Sequence, residues 1–166
     1  MLNDIQDLNA TSRSMVGDWT QETVEKDKLQ QILMIQEQPW LIRTFATNVM
    51  MYLSIRIGEH GDIVYTCKTP LGTYSLGGNY GTRLNTKVLK IMTMDLVMAD
   101  CNKYRITLYQ KNTYGKNASA ATITLHYDAA TDKIISNNFS AQGSYVRTFK
   151  RVGATTEKSL SDVADV

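Results

Sequence analysis

The sequence predicts an all-β protein in which one helical pair interrupts an antiparallel meander of about ten strands. Two observations carry that prediction. From residue 49 onward the chain is a succession of runs rich in β-branched and aromatic residues, separated by GEHGD, TPLG, ADCNK, NTYGKN, DAATDK and SAQG. Such clusters of Gly, Pro, Asn, Asp and Ser supply the dihedrals that tight turns need, so each marks a reversal between strands. The only stretch with helical periodicity comes early, directly after a first strand-like run. Short strands at even spacing form either a sandwich or a barrel. Closure into a barrel removes the exposed edges that such a sheet would otherwise carry, and a helical pair could cover the open end.

The elements follow in order. Residues 1–14 are polar and aperiodic, and 153–166 are small, polar and weakly acidic; both are expected as tails around an ordered body at 15–152. MVGDWTQETV opens that body as a strand in which Trp19, Gln21 and Thr23 alternate with Asp18, Thr20 and Glu22. In EKDKLQQILMIQEQPWLIRTFATN, Leu29, Ile32, Leu33 and Gln36 recur at helical spacing. Pro39 lacks an N–H and ends that helix, but it suits the start of a second one. The second helix is expected to turn Trp40, Leu41 and Phe45 to its apolar side. About nine strands then follow. In the last, GSYVRTFKRV, Tyr145, Arg147, Phe149 and Arg151 share one face.

Composition bounds the function. A chain of 166 residues fits one domain with a sizeable core. A net charge of +2, with no Lys/Arg block, argues against nucleic acid as a partner. No run approaches a membrane span, and the first residues lack the apolar centre of a signal peptide, which points to a cytoplasmic protein. Cys67 and Cys101 form no metal-ligand spacing and are expected as free thiols in a reducing compartment. No cofactor is called for. A catalytic set needs a nucleophile, a base and an orienting group; with His60 and His126 as the only histidines and no Gly-x-Ser-x-Gly, none is visible.

The order of strand, helix–turn–helix and nine strands resembles the intracellular fatty-acid-binding protein family of lipocalin-like, calycin barrels. MVGDWTQ resembles that family's opening Gly-x-Trp strand, QPWLIRTFA its second portal helix, LYQKNTYGK its Gln-Lys-Trp-x-Gly-Lys hairpin, and VRTFKR its closing Arg-x-Tyr strand. The resemblance covers roughly residues 15–152 and rests on the order and spacing of motifs that are each short. It implies a ten-stranded antiparallel up-and-down β-barrel with a helix-turn-helix lid after the first strand. It also implies a cavity in which an arginine and a tyrosine of the closing strand hold a ligand carboxylate. Arg147 matches the arginine, but Phe149 stands where the tyrosine would be. A second family arginine falls on Leu125, with His126 beside it facing the other way; a one-residue bulge would exchange the two.

The expected ligand site follows. Arg147 meets a polar head, since a buried guanidinium needs an anion or several acceptors. Tyr145 and Phe149 form walls beside it, with Leu125. Tyr109, one of several strand tyrosines that include Tyr65 and Tyr127, could line the pocket. Met92 and Met94 share strand parity with Met98 and suit variable apolar ligands. Leu33, Trp40, Leu41 and Phe45 belong to the lid, with Trp40 and Leu41 packed on the rim. Trp19 plugs the closed end, and Arg151 lies near the rim.

The function so implied is that of a monomeric intracellular carrier for a hydrophobic small molecule, a fatty acid or related lipid. The half-missing carboxylate clamp leaves room for a neutral or bulky ligand. Lys26, Lys28 and Arg43 on the lid offer a transient membrane contact. The alternatives are an isomerase, cyclase or oxidative enzyme on the same barrel, a haem protein using His126 as axial ligand, or a barrel packed solid and used for protein interaction. Fold alone does not choose among them.

Overall fold

The computed structural model describes residues 13–70, 72–77 and 82–152. The tails expected over 1–12 and 153–166 lie outside the described residues, whereas Ser14 and Met15 are buried. The chain forms β1 (Gly17–Val24), α1 (Lys26–Ile35), α2 (Trp40–Asn48), β2 (Tyr52–Ile57), β3 (Ile63–Thr69), β4 (Gly72–Leu76), β5 (Arg83–Val88), β6 (Met92–Cys101), β7 (Arg105–Tyr114), β8 (Asn117–Asp128), β9 (Lys133–Ser140) and β10 (Gly143–Arg151). One ten-stranded antiparallel sheet runs in the order β4-β3-β2-β1-β10-β9-β8-β7-β6-β5. The first and last strands are hydrogen-bonded neighbours, so the sheet curls into a near-closed barrel. Its seam falls between β4 and β5.

The alternation read from the sequence is what puts the core inside. Trp19, Leu53, Ile55, Tyr65, Cys67, Leu96, Met98, Ile106, Leu108, Ile134 and Phe149 form one buried cluster drawn from both halves of the sheet. Pro39 caps α2 with an extended ψ of 151°, so the two helices break where the proline requires it. Neither helix has a side-chain cap at its N-terminus.

Trp19 closes one end, fully buried, with its indole N–H donating to the Met15 carbonyl at 2.8 Å. Arg151 stacks on its face, guanidinium carbon 4.3 Å from the ring centroid. The same guanidinium reaches Asp132 at 3.0 Å and the carbonyls of Val16 and Ser14 at 2.8 and 2.7 Å. Arg151 is therefore a clamp on the closed end rather than a rim residue in water. A Cβ on Gly17 would lie 2.6 Å from Arg151 Nη1, and Gly17 has φ +141°, so a side chain there is excluded twice over.

One turn departs from the sequence expectation. The β5–β6 connection has no Gly, Asn or Pro, yet Leu89 and Lys90 both take left-handed dihedrals, φ 54° and 61°.

Candidate ligand cavity

The barrel encloses a cavity of about 270 Å³ under the helical pair. It is a space of the barrel's own making: α2 turns Ile42, Phe45, Ala46 and Val49 inward at helical spacing, and α1 contributes Leu29 and Leu33. Met51, Val88, Met92, Met94 and Leu96 form an apolar wall from β5, β6 and the chain entering β2.

Arg147, Tyr145, Phe149, Leu125, Met92 and Met94 all line this cavity, with Leu33 and Phe45 from the lid. The β8 register runs without a bulge, pairing Leu125 with Ile106 and Ser136, so Leu125 is buried inward and His126 lies on the outer face. Three residues lie elsewhere. Tyr109 is 53% exposed on the outer surface, because Ile106 and Leu108 set the inward parity of β7. Trp40 and Leu41 are 69% and 46% exposed rather than packed on the rim. They occupy the first turn of α2, and the stripe that meets the barrel begins one residue later, at Ile42.

Arg147 is 6% exposed and carries the site's charge. Its Nη1 donates to Gln21 Oε1 of β1, and its guanidinium carbon lies 5.9 Å from the Tyr145 ring centroid. Among the described residues no carboxylate pairs with it, in contrast to the four ion pairs formed elsewhere. Tyr65 of β3 and Tyr74 of β4 also line the cavity, and the buried Cys67 pairs with Tyr74 across the two strands. Burial pushes both phenols well above their ordinary range and raises the thiol, so all three stay protonated and serve as neutral dipoles.

A second group of polar residues faces the same cavity: Gln38 between the helices, Gln110 and Asn112 on β7, and Ser136 and Asn138 on β9. Sequence reasoning passed over Gln21 as a partner of Arg147, over Tyr74, and over this group. Gln110 and Asn112 share parity with Ile106 and Leu108, and that signal would have found them.

The fold is that of the fatty-acid-binding protein barrels. A Schistosoma mansoni fatty acid binding protein in complex with arachidonic acid superposes with a TM-score of 0.63 at 13% identity, over 84% of this chain and 96% of that one. The fatty-acid-binding protein 1 of Echinococcus granulosus gives 0.61 at 12% identity, covering 83% and 97%. Human cRBP IV gives 0.58 at 15%, covering 83% and 98%. No protein-family model and no curated protein matches the sequence.

Proposed function

We propose that this protein is a carrier that holds a hydrophobic molecule with an anionic head, a fatty acid or related lipid, in the barrel cavity. One observation carries the reading: Arg147 is a buried cation that lines the cavity with a single neutral acceptor and no carboxylate partner among the described residues. A buried guanidinium in that state gains most from an anion that brings its own charge. Tyr145 and Phe149 flank the head, and burial of an apolar tail supplies about 0.8 kcal/mol per methylene. Fold likeness to proteins named for fatty acids supports the same direction.

Entry is expected between α2 and Thr69, Gly72, Val88 and Leu89, which line the cavity from the strand ends. Trp40, Leu41, Met34 and Ile35 leave an apolar surface on the helical pair, flanked by Lys26 and Lys28, and suit a brief contact with a membrane that donates or receives the ligand. Among the described residues no helix is long and apolar enough to cross a membrane. Cys67 and Cys101 form no disulfide with each other, which fits the reducing setting of a cytoplasmic carrier.

Displacement of a fluorescent fatty-acid probe from the delipidated protein tests this. Saturable binding near one equivalent, weakened about tenfold or more in Arg147→Ala, is the expected result. Binding indifferent to the substitution would remove Arg147 as the anchor and favour a neutral ligand. Absence of binding in the folded protein would remove the carrier reading.

A further inference from the structure

The cavity is not lined alike all round, and the strand registers order its polar residues into a ladder. Arg147 lies opposite Ser136 of β9, which lies opposite Leu125. One rung nearer the lid, Tyr145 lies opposite Asn138, which lies opposite Ile123. On the next, Gly143, Ser140, Ala121 and Gln110 are in line, and beyond it Ser119 faces Asn112. Each rung is two residues along the strand, about 7 Å, so Gln110 stands about 14 Å from the level of Arg147.

These side chains are joined to one another along the wall. Asn138, 7% exposed, donates to Ser136 Oγ at 3.1 Å; Gln110 donates to Asn112 Oδ1 at 3.1 Å; Gln38, 6% exposed, reaches Ser119 Oγ at 3.5 Å. The far oxygen of Gln38, Oε1, is shielded and has no hydrogen-bond partner. Directly beside them on β6, Leu96 pairs with Gln110 and Met94 with Asn112, and together with Met51, Val88 and Met92 these residues offer no polar atom other than backbone and thioether sulfur.

A plain alkyl chain fits the apolar side chains and not the amides next to them. Laid against the amides, it would strip them of water and return nothing, and buried polar groups left without partners are what binding sites discriminate by. A chain bearing a hydroxyl at mid-length satisfies both kinds of lining, because a hydroxyl donates to an amide oxygen and accepts from an amide nitrogen.

Building on the carrier reading, we infer that the ligand is an oxygenated long-chain acid: its acid group sits at Arg147, and a mid-chain hydroxyl or similar group sits on the amide wall at Gln110 and Asn112. The site thus selects on the tail as well as on the head.

The test compares stearate with 12-hydroxystearate, equal in length and head, as competitors of the fluorescent probe. The wild type is expected to favour the hydroxy acid by about fivefold, the worth of one added hydrogen bond. In Gln110→Leu and in Asn112→Leu, the ratio of the two acids' affinities is expected to fall to about one. Equal binding of both acids by the wild type would overturn the inference while leaving the carrier reading intact. A preference that survives both substitutions would overturn its assignment to this wall. Failure of both acids to displace the probe, in a folded sample, would overturn the inference together with the carrier reading.

Discussion

Arg147 and Arg151 belong to one strand and share its parity, yet they occupy opposite environments. At the closed end, Arg151 has Asp132, two backbone carbonyls and the face of Trp19. In the cavity, Arg147 has Gln21 and, 5.9 Å away, the ring of Tyr145. The first guanidinium is fully answered by its own chain, and the second is not. Burial of an arginine is therefore no guide to its role; its partners are. Arg151 fastens the residues before β1 to the end of β10, while Arg147 keeps binding capacity in reserve.

The comparison breaks most easily at the clamp. Arg151→Ala removes a stack and several charge-assisted hydrogen bonds and leaves the Ser14 and Val16 carbonyls unanswered. It is expected to cost about 2–3 kcal/mol, a figure reduced because the pair is partly solvated, and urea unfolding would read it directly. Arg147→Ala sharpens the contrast from the other side. It is expected to leave the ligand-free protein as stable or more stable, since the desolvation of a weakly partnered charge is relieved, while binding of an acid falls as described above. Equal destabilisation by the two substitutions would erase the distinction.

A smaller effect separates the two ends by pH. The Arg151 hydrogen bond holds the Asp132 carboxyl below its ordinary value of 3.8. A carboxylate with a lowered folded-state value stabilises above the unfolded value and loses that contribution as pH falls through the folded one. Wild type should exceed Asp132→Asn in stability by up to about 1 kcal/mol at neutral pH. The gap should close on acidification below about 3.8, a trend that melting curves from neutral to acid pH would follow. Smallest of all is Tyr109→Ala. With its side chain on the outer face, acid binding should be unchanged within error of the displacement assay. A large loss would mean that β7 is read in the wrong register.

Much of the fold was legible because its turns are written in residues with special dihedral needs. GEHGD, TPLG and DAATDK each fall between observed strands. The β5–β6 turn was not, since Leu89 and Lys90 adopt left-handed dihedrals without the residues that favour them, and only tertiary context can hold them there. In the cavity, alternation grouped Tyr145, Arg147 and Phe149 on one face of the closing strand, and only the family resemblance turned that face inward. Tyr109 was misread, because aromatic character was weighed above the parity of Ile106 and Leu108. The amide wall stayed hidden for a different reason. Polar residues on one face of a strand normally signal solvent, and nothing local distinguishes a wet outer face from a polar inner one. The clamp was illegible because Asp132 sits in a turn and Ser14 and Val16 at the other end of the chain, joined to Arg151 only by barrel closure.

That closure has a topological consequence. The sheet's two unpaired edges, β4 and β5, are consecutive in sequence, while the strands at the two chain ends are zipped together; Val152 N–H donates to the Asp18 carbonyl at 2.9 Å. The covalent connection and the hydrogen-bonded circuit thus break at different places. A circular permutant that links residue 152 back to residue 13 and opens the chain between Leu76 and Arg83 would sever no strand pairing among the described residues. The barrel would be kept, and the order of its strands in space, β5 to β10 and then β1 to β4, would become their order in sequence throughout.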